Sequence, residues 1–193
     1  MDIMSDDERG FVFKVTVIGN GAVGKTSLIK KFTKGEFNGE YIMTLGAQFT
    51  NYTEIIDDTP CQIVFWDIAG QESFSHLRPN FYRGSRAGII VFSHEENDHG
   101  DKSYRDLSKW LADFKKHCGK IPIIIFGNKI DLMDNEKVLM NEDHPKSDNN
   151  INNLMKEYNF LGYYKTSALT GEGVAIAFQE LTKKLFDIYK GFM

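Results

Sequence analysis

The feature that most constrains this chain is residues 19–26, which read GNGAVGKT and match the spacing G-x-x-x-x-G-K-[ST]. A loop of this type needs a strand before it and a helix after it, because its backbone N–H groups must converge at a helix N-terminus to hold a polyphosphate. Phe11–Ile18 alternates and is rich in β-branched and aromatic residues, and residues 27–33 place apolar side chains at helical spacing. The sequence therefore predicts a strand–loop–helix unit that binds a nucleoside triphosphate.

Two side chains of this phosphate loop carry chemistry. Lys25 is expected to reach the β- and γ-phosphates, and the Thr26 hydroxyl is expected to bind Mg²⁺. A chance match in an unrelated loop is the alternative, and the strand and helix patterns on either side of the loop disfavour it.

Composition narrows the class of protein further. The chain has 193 residues, which suits one domain with a sizeable core, and its formal net charge of −4 gives no sign of nucleic acid or an anionic membrane as a partner. Its two cysteines, Cys61 and Cys118, are far apart and form no C-x-x-C pair, as expected in a reducing compartment. No apolar run reaches the roughly eighteen residues that span a bilayer. We expect a cytoplasmic protein that binds no nucleic acid.

Three polar segments stand out along the chain. Residues 1–10 are acidic and polar, and we expect them to form a flexible N-terminus. Residues 134–153 are rich in Asn, Asp, Glu and Lys, which predicts a long surface loop leading into a helix. Residues 94–99 read HEENDH, but the two histidines are five apart where a zinc-protease helix needs four, so we predict a solvated acidic loop. The remaining histidines are expected to be exposed: His76, His117 and His144.

Strand and helix patterns alternate along the rest of the chain. Residues 63–66, 87–92 and 121–127 are short apolar runs, as expected for strands that a parallel sheet buries on both faces. Apolar residues recur at helical spacing across residues 104–114 and 174–188. This alternation predicts an α/β fold with helices on both faces of a mainly parallel sheet, and a ligand at the carboxyl ends of the strands.

Residues 128–131, which read NKID, follow one of these predicted strands. The Asp131 carboxylate can accept two parallel hydrogen bonds from guanine N1–H and its exocyclic amine, a pattern that adenine does not offer. A helix cap or a turn is the alternative for so short a motif, but its place after a buried strand favours the guanine interpretation. The sequence therefore predicts GTP rather than ATP as the ligand.

Residues 66–72, which read WDIAGQE, close another predicted strand. An aspartate at such a strand end, here Asp67, can hold Mg²⁺ through water. Gly70 allows the backbone to approach the γ-phosphate closely, and Gln71 can orient an attacking water. The segment therefore predicts hydrolysis of the bound nucleotide.

Taken together, these motifs resemble the small GTPases of the Ras superfamily, and most closely the Rab family. The resemblance covers residues 12–188. It is carried by TLGAQF at 44–49, WD at 66–67, Phe74, FYRGS at 81–85 and IVF at 90–92. It implies a P-loop G domain over residues 11–190 with a mainly parallel six-stranded sheet, GTP or GDP and Mg²⁺ as cofactors, and a C-terminal remnant at 191–193 that carries no lipidation motif.

The resemblance also implies roles for individual residues. Phe37 would lie edge-on to the guanine, Tyr41 would cover the phosphates, and Thr44 would bind Mg²⁺ and the γ-phosphate. The Ala168 N–H would face guanine O6, while Ser167 would steady the base-binding aspartate. The implied nucleotide contacts are Gly19, Gly21, Ala22, Val23, Gly24, Lys25, Thr26, Ser27, Phe37, Tyr41, Thr44, Gly70, Asn128, Lys129, Asp131, Ser167, Ala168 and Leu169; the metal contacts are Thr26, Thr44 and Asp67, and the catalytic residues are Lys25, Thr44 and Gln71.

The chain departs from the family pattern at several positions. Leu169 stands where the family has lysine, which shortens the stem that packs beside the base and removes its charge. Ser93 and His94 replace the usual residues after the fourth strand, and Ile68 stands where Thr or Leu is commoner. The loop after residue 131 is about ten residues longer than in typical relatives, on the same resemblance.

The function that the resemblance implies is a nucleotide-dependent switch in membrane traffic. Such an enzyme hydrolyses GTP slowly, and no arginine of this chain is in an obvious position to assist, so fast turnover needs an activating protein. Effectors, exchange factors and activating proteins would bind the switch regions and the surface of Phe49, Trp66 and Phe81. Packing in the core is the alternative for Phe49 and Trp66.

We expect a monomer that reaches the cytosolic face of membranes only if a lipidated tail lies beyond this sequence. Two other functions stay open. One is a nucleotide-locked interaction module with little turnover, which the presence of Gln71, Thr44 and Gly21 disfavours. The other is an ATP-using kinase or ATPase, which Asp131 and Ala168 disfavour.

Overall fold

The computed structural model describes residues 10–36, 44–133 and 144–192. Its strands are β1 (Phe11–Ile18), β2 (Ala47–Ile56), β3 (Thr59–Ile68), β4 (Ala87–Ser93), β5 (Ile123–Asn128) and β6 (Gly162–Lys165). Its α-helices are α1 (Lys25–Lys34), α2 (Arg78–Tyr82), α3 (Asp98–Arg105), α4 (Leu107–Cys118), α5 (Asp148–Tyr158) and α6 (Val174–Tyr189). Short 3-10 helices lie at Glu72–Leu77, Ile130–Leu132 and Lys190–Phe192. Strand and helix alternate as the sequence predicts.

The six strands form one sheet in the order β2-β3-β1-β4-β5-β6. β1 pairs in parallel with β3 and β4, and β5 pairs in parallel with β4 and β6, whereas β2 and β3 form an antiparallel hairpin. The chain reverses its direction between β2 and β3 in a two-residue turn, where Asp57 and Asp58 both adopt positive φ. The predicted mainly parallel six-stranded sheet is confirmed.

Helices cover both faces of the sheet. On one face α1 and α6 pack on β1 and β3 through an aromatic core that includes Phe178 and Phe65. On the other face α4 and α5 pack through Phe114 and Ile151 among others. β4 and β5 are consequently buried along their whole length, while the edge strand β2 alternates. The parallel strands therefore all end at one edge, where the loops that follow them meet.

Two segments differ from the sequence prediction. The apolar pattern over residues 104–114 spans two helices rather than one, because the chain breaks at Asp106 between α3 and α4. Helix α5 begins at Asp148, inside the predicted loop of residues 134–153, since the Ser147 side chain accepts a hydrogen bond from the Asn150 N–H and caps the helix. Within the described ranges, no helix combines the length and apolarity that crossing a bilayer requires.

Candidate nucleotide site

The phosphate loop follows β1 and leads directly into α1, as predicted. Gly19 has φ 137° and Gly24 has φ 98°, backbone conformations that side chains rarely adopt. A Cβ added at Gly19 would lie 2.2 Å from the Val91 carbonyl oxygen, and one at Gly24 would lie 2.2 Å from Asn128 Nδ2. Glycine is therefore required at both positions. Gly19 lies close to β4, Gly24 lies close to the base motif, and both have a positive φ.

Lys25, the first residue of α1, folds back over this loop. Its Nζ donates to the carbonyl oxygens of Gly19 and Asn20, both at 2.9 Å. Burial lowers its pKa to about 8, although the nearby Asp67 carboxylate acts in the opposite direction. The ammonium group is thus held beside the phosphate loop. A bound phosphate would give it an anionic partner there, whereas its present partners are two neutral carbonyls.

Three oxygen side chains from different segments meet beside this loop. The Thr26 hydroxyl donates to Asp67 Oδ2 and lies 3.0 Å from the Thr44 hydroxyl. Asp67 is buried at the end of β3, and its Oδ1 has no hydrogen-bond partner among the described residues. Burial raises the pKa of this carboxyl, and Lys25 acts to lower it. Hydroxyl and carboxylate oxygens are the donor set that Mg²⁺ prefers.

Gly70 lies against the phosphate loop from the other side. A Cβ at this position would be 2.4 Å from the Gly21 nitrogen and 2.5 Å from the Gly19 oxygen. Gln71 follows, and its carbonyl accepts hydrogen bonds from Arg78 Nη2 at 3.1 Å and from the Phe74 N–H at 3.2 Å. The turn that begins the predicted second switch is thereby held next to the loop.

The base motif lies at the end of β5. Asn128 is buried and donates through Nδ2 to the Val23 carbonyl at 2.9 Å, while its Oδ1 accepts from the Ala168 N–H at 3.1 Å. Ser167 Oγ donates to Asp131 Oδ1 at 2.5 Å, and the rest of Asp131 is exposed. One buried amide therefore joins the phosphate loop to both segments predicted to hold guanine.

The Ala168 N–H, which is predicted to face guanine O6, donates to the side-chain oxygen of Asn128 in this structure. Leu169 is 52% exposed at the rim, as expected for a side chain that would pack beside a base. The remaining predicted loop contacts, Gly21, Ala22, Val23 and Ser27, lie in the same loop and first helical turn. Phe37 and Tyr41 lie outside the described residues.

The predicted aromatic surface is brought together on β2, β3 and α2. Phe49 and Trp66 have ring centroids 4.4 Å apart in an edge-on arrangement, and Trp66 and Phe81 are 6.3 Å apart. Phe49 is 58% exposed, which removes the core-packing alternative for that residue, whereas Trp66 is half-buried. Lys14 Nζ lies 3.4 Å from the Trp66 ring centroid, within cation–π distance.

The sequence interpretation missed contacts that α4, and Asp106 between α3 and α4, make with the phosphate loop. Trp110 Nε1 donates to Asn20 Oδ1 at 2.6 Å, and Asn20 Nδ2 donates to Asp106 Oδ2 at 2.9 Å. Arg78 stacks over the same Trp110 ring at 4.2 Å. No local pattern marks these residues as site residues, because each acts through a partner far along the chain.

The prediction of a solvated acidic loop at residues 94–99 holds for residues 96–98, which are exposed, and is wrong for the two histidines and Glu95. His94 is fully buried and its Nε2 pairs with the Tyr163 hydroxyl at 2.7 Å. His99 Nε2 lies 2.8 Å from the Gly21 carbonyl oxygen, and Glu95 forms an ion pair with Lys129. His144 was also predicted to be exposed, but it is partly buried and pairs with Glu96. This segment packs onto the site because its partners come from four other parts of the chain.

Fold and site together define a P-loop nucleotide-binding protein of the α/β class. A model of the Ras family matches residues 14–187. The chain is 34% identical over 183 residues to Ras-related protein Rab-5A of Dictyostelium discoideum, covering 94% of this chain and 85% of that protein. It is 33% identical over 182 residues to Ras-related protein Rab-18-B of Danio rerio, covering 93% and 82%. The chain belongs to the Ras family and is a Rab-like small GTPase.

Proposed function

We propose that this GTPase binds GTP and GDP together with Mg²⁺ in the site described above. The observation that carries the proposal is the position of Asn128, whose single side chain contacts the phosphate loop at Val23 and the Ala168 N–H beside Asp131. A site of this shape holds a polyphosphate at one end and a purine at the other. Asp131, an exposed residue, selects guanine over adenine, because a carboxylate can accept from guanine N1–H and its exocyclic amine, a pattern that adenine does not offer.

The donor set fits the metal. Thr26 and Thr44 supply two hydroxyls, and Asp67 supplies a buried carboxylate oxygen that has no hydrogen-bond partner among the described residues. In a P-loop protein, Mg²⁺ neutralises charge that develops between the β- and γ-phosphates. Asp67 would take part through water, and the hydroxyls of Thr26 and Thr44 through direct contact.

Hydrolysis requires a positioned water and a stabilised phosphate. Lys25 carries the charge at the phosphate end, and Gln71 orients the water for in-line attack on the γ-phosphate. The carbonyl of Gln71 is anchored by Arg78, so the guanidinium of that arginine is engaged inside the protein and is 7% exposed. Full turnover speed therefore depends on an arginine from an activating protein, an effect of about 10³ to 10⁵ in rate.

The exposed aromatic surface reports the nucleotide state to effectors. Thr44 and Gly70 would bond the γ-phosphate only when it is present, and each lies close in sequence to an aromatic residue of the Phe49–Trp66–Phe81 surface. Trp66→Ala is expected to weaken effector binding by more than about 1 kcal/mol with nucleotide affinity retained. The role in membrane traffic, at the cytosolic face of a membrane, rests on the likeness to Rab proteins alone.

Base choice tests the site. We expect Asp131→Asn to reduce GTP affinity by about 100-fold and to shift preference toward xanthosine nucleotides, because the acceptor pair for guanine is lost. Competition of GTP, ATP and XTP for a fluorescent guanine nucleotide measures it. Unchanged GTP affinity in the variant, or displacement by ATP as efficient as by GTP, would show that the base pocket is misassigned.

Turnover tests the switch. Gln71→Leu is expected to bind GTP as tightly as the unmodified protein and to hydrolyse it more slowly in a single-turnover phosphate-release assay. Hydrogen exchange on the GDP form and on a form with a non-hydrolysable GTP analogue then compares residues 44–49 and 70–81. Identical protection in both forms, with no phosphate release, would favour the nucleotide-locked interaction module.

A further inference from the structure

A chain of side-chain contacts joins the phosphate loop to the base motif along one flank of the site. His99 Nε2 lies 2.8 Å from the Gly21 carbonyl oxygen, so this nitrogen carries a proton and donates it. His99 Nδ1 lies 3.5 Å from Glu95 Oε2, and the two groups form an ion pair when the ring is protonated on both nitrogens. The same carboxylate oxygen accepts from Lys129 Nζ at 2.8 Å. We call Glu95, His99 and Lys129 the flank bridge. It runs beside the proposed nucleotide groove from its phosphate end to its base end.

The carboxylate at the centre of the bridge is partly shielded from water. The Glu95 side chain is 20% exposed, and Ser93 Oγ also donates to it at 2.9 Å. Burial acts to raise the pKa of this carboxyl, but the hydrogen bonds from Lys129 and Ser93 outweigh it and the pKa lies below its usual value. Glu95 is therefore an anion at neutral pH, and its ion pair is less screened than a pair on the open surface.

A buried lysine holds the backbone of the bridge in place. Lys146 Nζ donates to the Glu95 carbonyl at 2.7 Å and pairs with Asp101 Oδ1 at 2.9 Å and Glu96 Oε1 at 3.6 Å. Its side chain is 1% exposed, and these three acceptors surround its Nζ. Lys146 comes from the segment between the base motif and α5 that the resemblance marks as unusually long. Lys146 thus supports the bridge.

We infer that the flank bridge positions the two ends of the site relative to each other and slows the release of bound nucleotide. The inference rests on the proposed nucleotide binding. A nucleotide held at its phosphates and at its base escapes only when one of those contacts loosens. A connection between Gly21 and Lys129 that is independent of the ligand opposes that loosening, since it keeps both ends in the binding geometry.

The bridge acts on dissociation more than on association. The contacts of Glu95 and His99 that define the bridge are with Gly21 and Lys129, whereas Asp131 and Leu169 are exposed residues of the proposed rim, so we expect the path of an incoming nucleotide to change little without it. Strengthening a preformed site changes mainly the dissociation rate. Glu95 and His99 are positioning residues, and neither is assigned a contact with the reacting atoms.

The test is the release rate of a fluorescent GDP from the Mg²⁺-loaded protein, chased with excess unlabelled GDP. We expect His99→Ala and Glu95→Gln each to release it about tenfold faster, which corresponds to about 1.4 kcal/mol. The double variant should release it no more than about threefold faster than the faster single variant, because both changes break one connection. His99→Gln, whose amide can still donate to the Gly21 carbonyl, should recover most of the effect.

A matched control comes from a second histidine–carboxylate pair with the same i,i+4 separation in sequence. His117 Nε2 lies 3.9 Å from Asp113 Oδ1 on α4, away from the phosphate loop. His117→Ala should release GDP at the unmodified rate. Association rates and Tm should change little in all these variants, because His99 is 41% exposed and its removal leaves no cavity in the core.

The outcomes separate the inference from the proposed function. If the unmodified protein retains no guanine nucleotide, the proposed function fails. If it retains nucleotide while His99→Ala and Glu95→Gln release it at the unmodified rate or more slowly, the inference alone is overturned. It is equally overturned if the faster release of His99→Ala accompanies a large drop in Tm and His99→Gln restores neither, since the residue would then act only on stability.

Discussion

The phosphate loop and the segment of residues 93–101 border the same site, yet they are held in place by different kinds of contact. The loop is shaped by backbone angles and by Lys25, which bonds carbonyls only five and six residues away. The segment 93–101 is held by side chains whose partners are 78, 34 and 51 residues away: Gly21, Lys129 and Lys146. The backbone shape of the loop is encoded mainly by consecutive residues, although Asn128 and Trp110 also bond to it from far along the chain, whereas the segment 93–101 is assembled by the fold.

This difference has an energetic consequence. When a side chain is added at a glycine with positive φ, the backbone of the whole turn is strained. The movement of a neighbouring side chain cannot relieve this strain. A side-chain network loses its contacts one at a time, and each costs about 1 kcal/mol. We therefore expect changes in the loop to be severe and changes in the segment 93–101 to be graded.

The largest effect is expected in the loop. Gly19→Ala should destabilise the protein by about 4 kcal/mol or more and abolish nucleotide binding, because its Cβ would meet the Val91 backbone at 2.2 Å in a φ of 137°. Gly84→Ala is the matched control, since Gly84 also has positive φ but its Cβ would meet no atom within 4 Å. It should cost only about 1 kcal/mol. Urea unfolding measures both, and equal losses would show that φ alone decides.

The next effect concerns acid stability in the segment 93–101. Burial lowers the pKa of His94 to about 3, and Lys146, Lys165 and His144 act in the same direction while Asp148 opposes them. The neutral ring is thus kept in the folded state, whereas the unfolded chain binds a proton below its ordinary pKa near 6.5. Stability contributed by this group is complete above that value and falls as the pH drops from about 6.5 toward 3.

His94→Gln keeps a hydrogen bond available to Tyr163 and removes the titration. Between pH 7.5 and 5 we expect the unmodified protein to lose about 2 kcal/mol more unfolding free energy than this variant, at 1.36 kcal/mol per pH unit. Urea unfolding at the two pH values gives the comparison. Parallel losses in both proteins would mean that His94 is not buried as a neutral ring.

A smaller effect is expected where α4 meets the phosphate loop. Trp110→Phe removes the Nε1 donor to Asn20 Oδ1 and keeps an aromatic face for Arg78. We expect GDP release to accelerate about fivefold, a loss of about 1 kcal/mol for one hydrogen bond. Tyr104→Phe, on the neighbouring α3, is the control and should leave release unchanged. If Trp110→Phe released GDP at the same rate as Tyr104→Phe, the hydrogen bond with Asp106 would be enough to hold Asn20 in place.

The smallest effect is expected at the rim of the base pocket. Leu169→Lys restores the longer stem of the family pattern at a position that is 52% exposed. GDP release should slow by about two- to threefold with Tm unchanged, because the added methylenes cover part of the base while the charge stays in water. Leu169→Gln separates added charge from added length. Faster release in Leu169→Lys would mean that the leucine packs beside the base better than the lysine.

The sequence predicted the fold class and the motifs of the site because each leaves a local signal. Apolar runs marked β4 and β5, since strands buried on both faces have no polar positions. The spacing of glycines, Lys25 and Thr26 marked the phosphate loop, since its geometry depends on consecutive residues. The positions of Asp67 and Asn128 followed from their place at strand ends, because parallel strands end at one edge of the sheet.

Only the tertiary structure decided the role of residues 94–99. Their polarity suggests a solvated loop, yet His94 fits beside Gly127, where a Cβ would lie 2.6 Å from its ring. Likewise Lys146 lies in a polar stretch but is buried, because Glu96, from the loop before α3, and Asp101, on α3, pair with it. Such pairings leave no periodic pattern in the sequence, because charged residues give the same pattern whether they are exposed to water or buried in ion pairs. Their burial depends on which distant segment the fold brings to meet them.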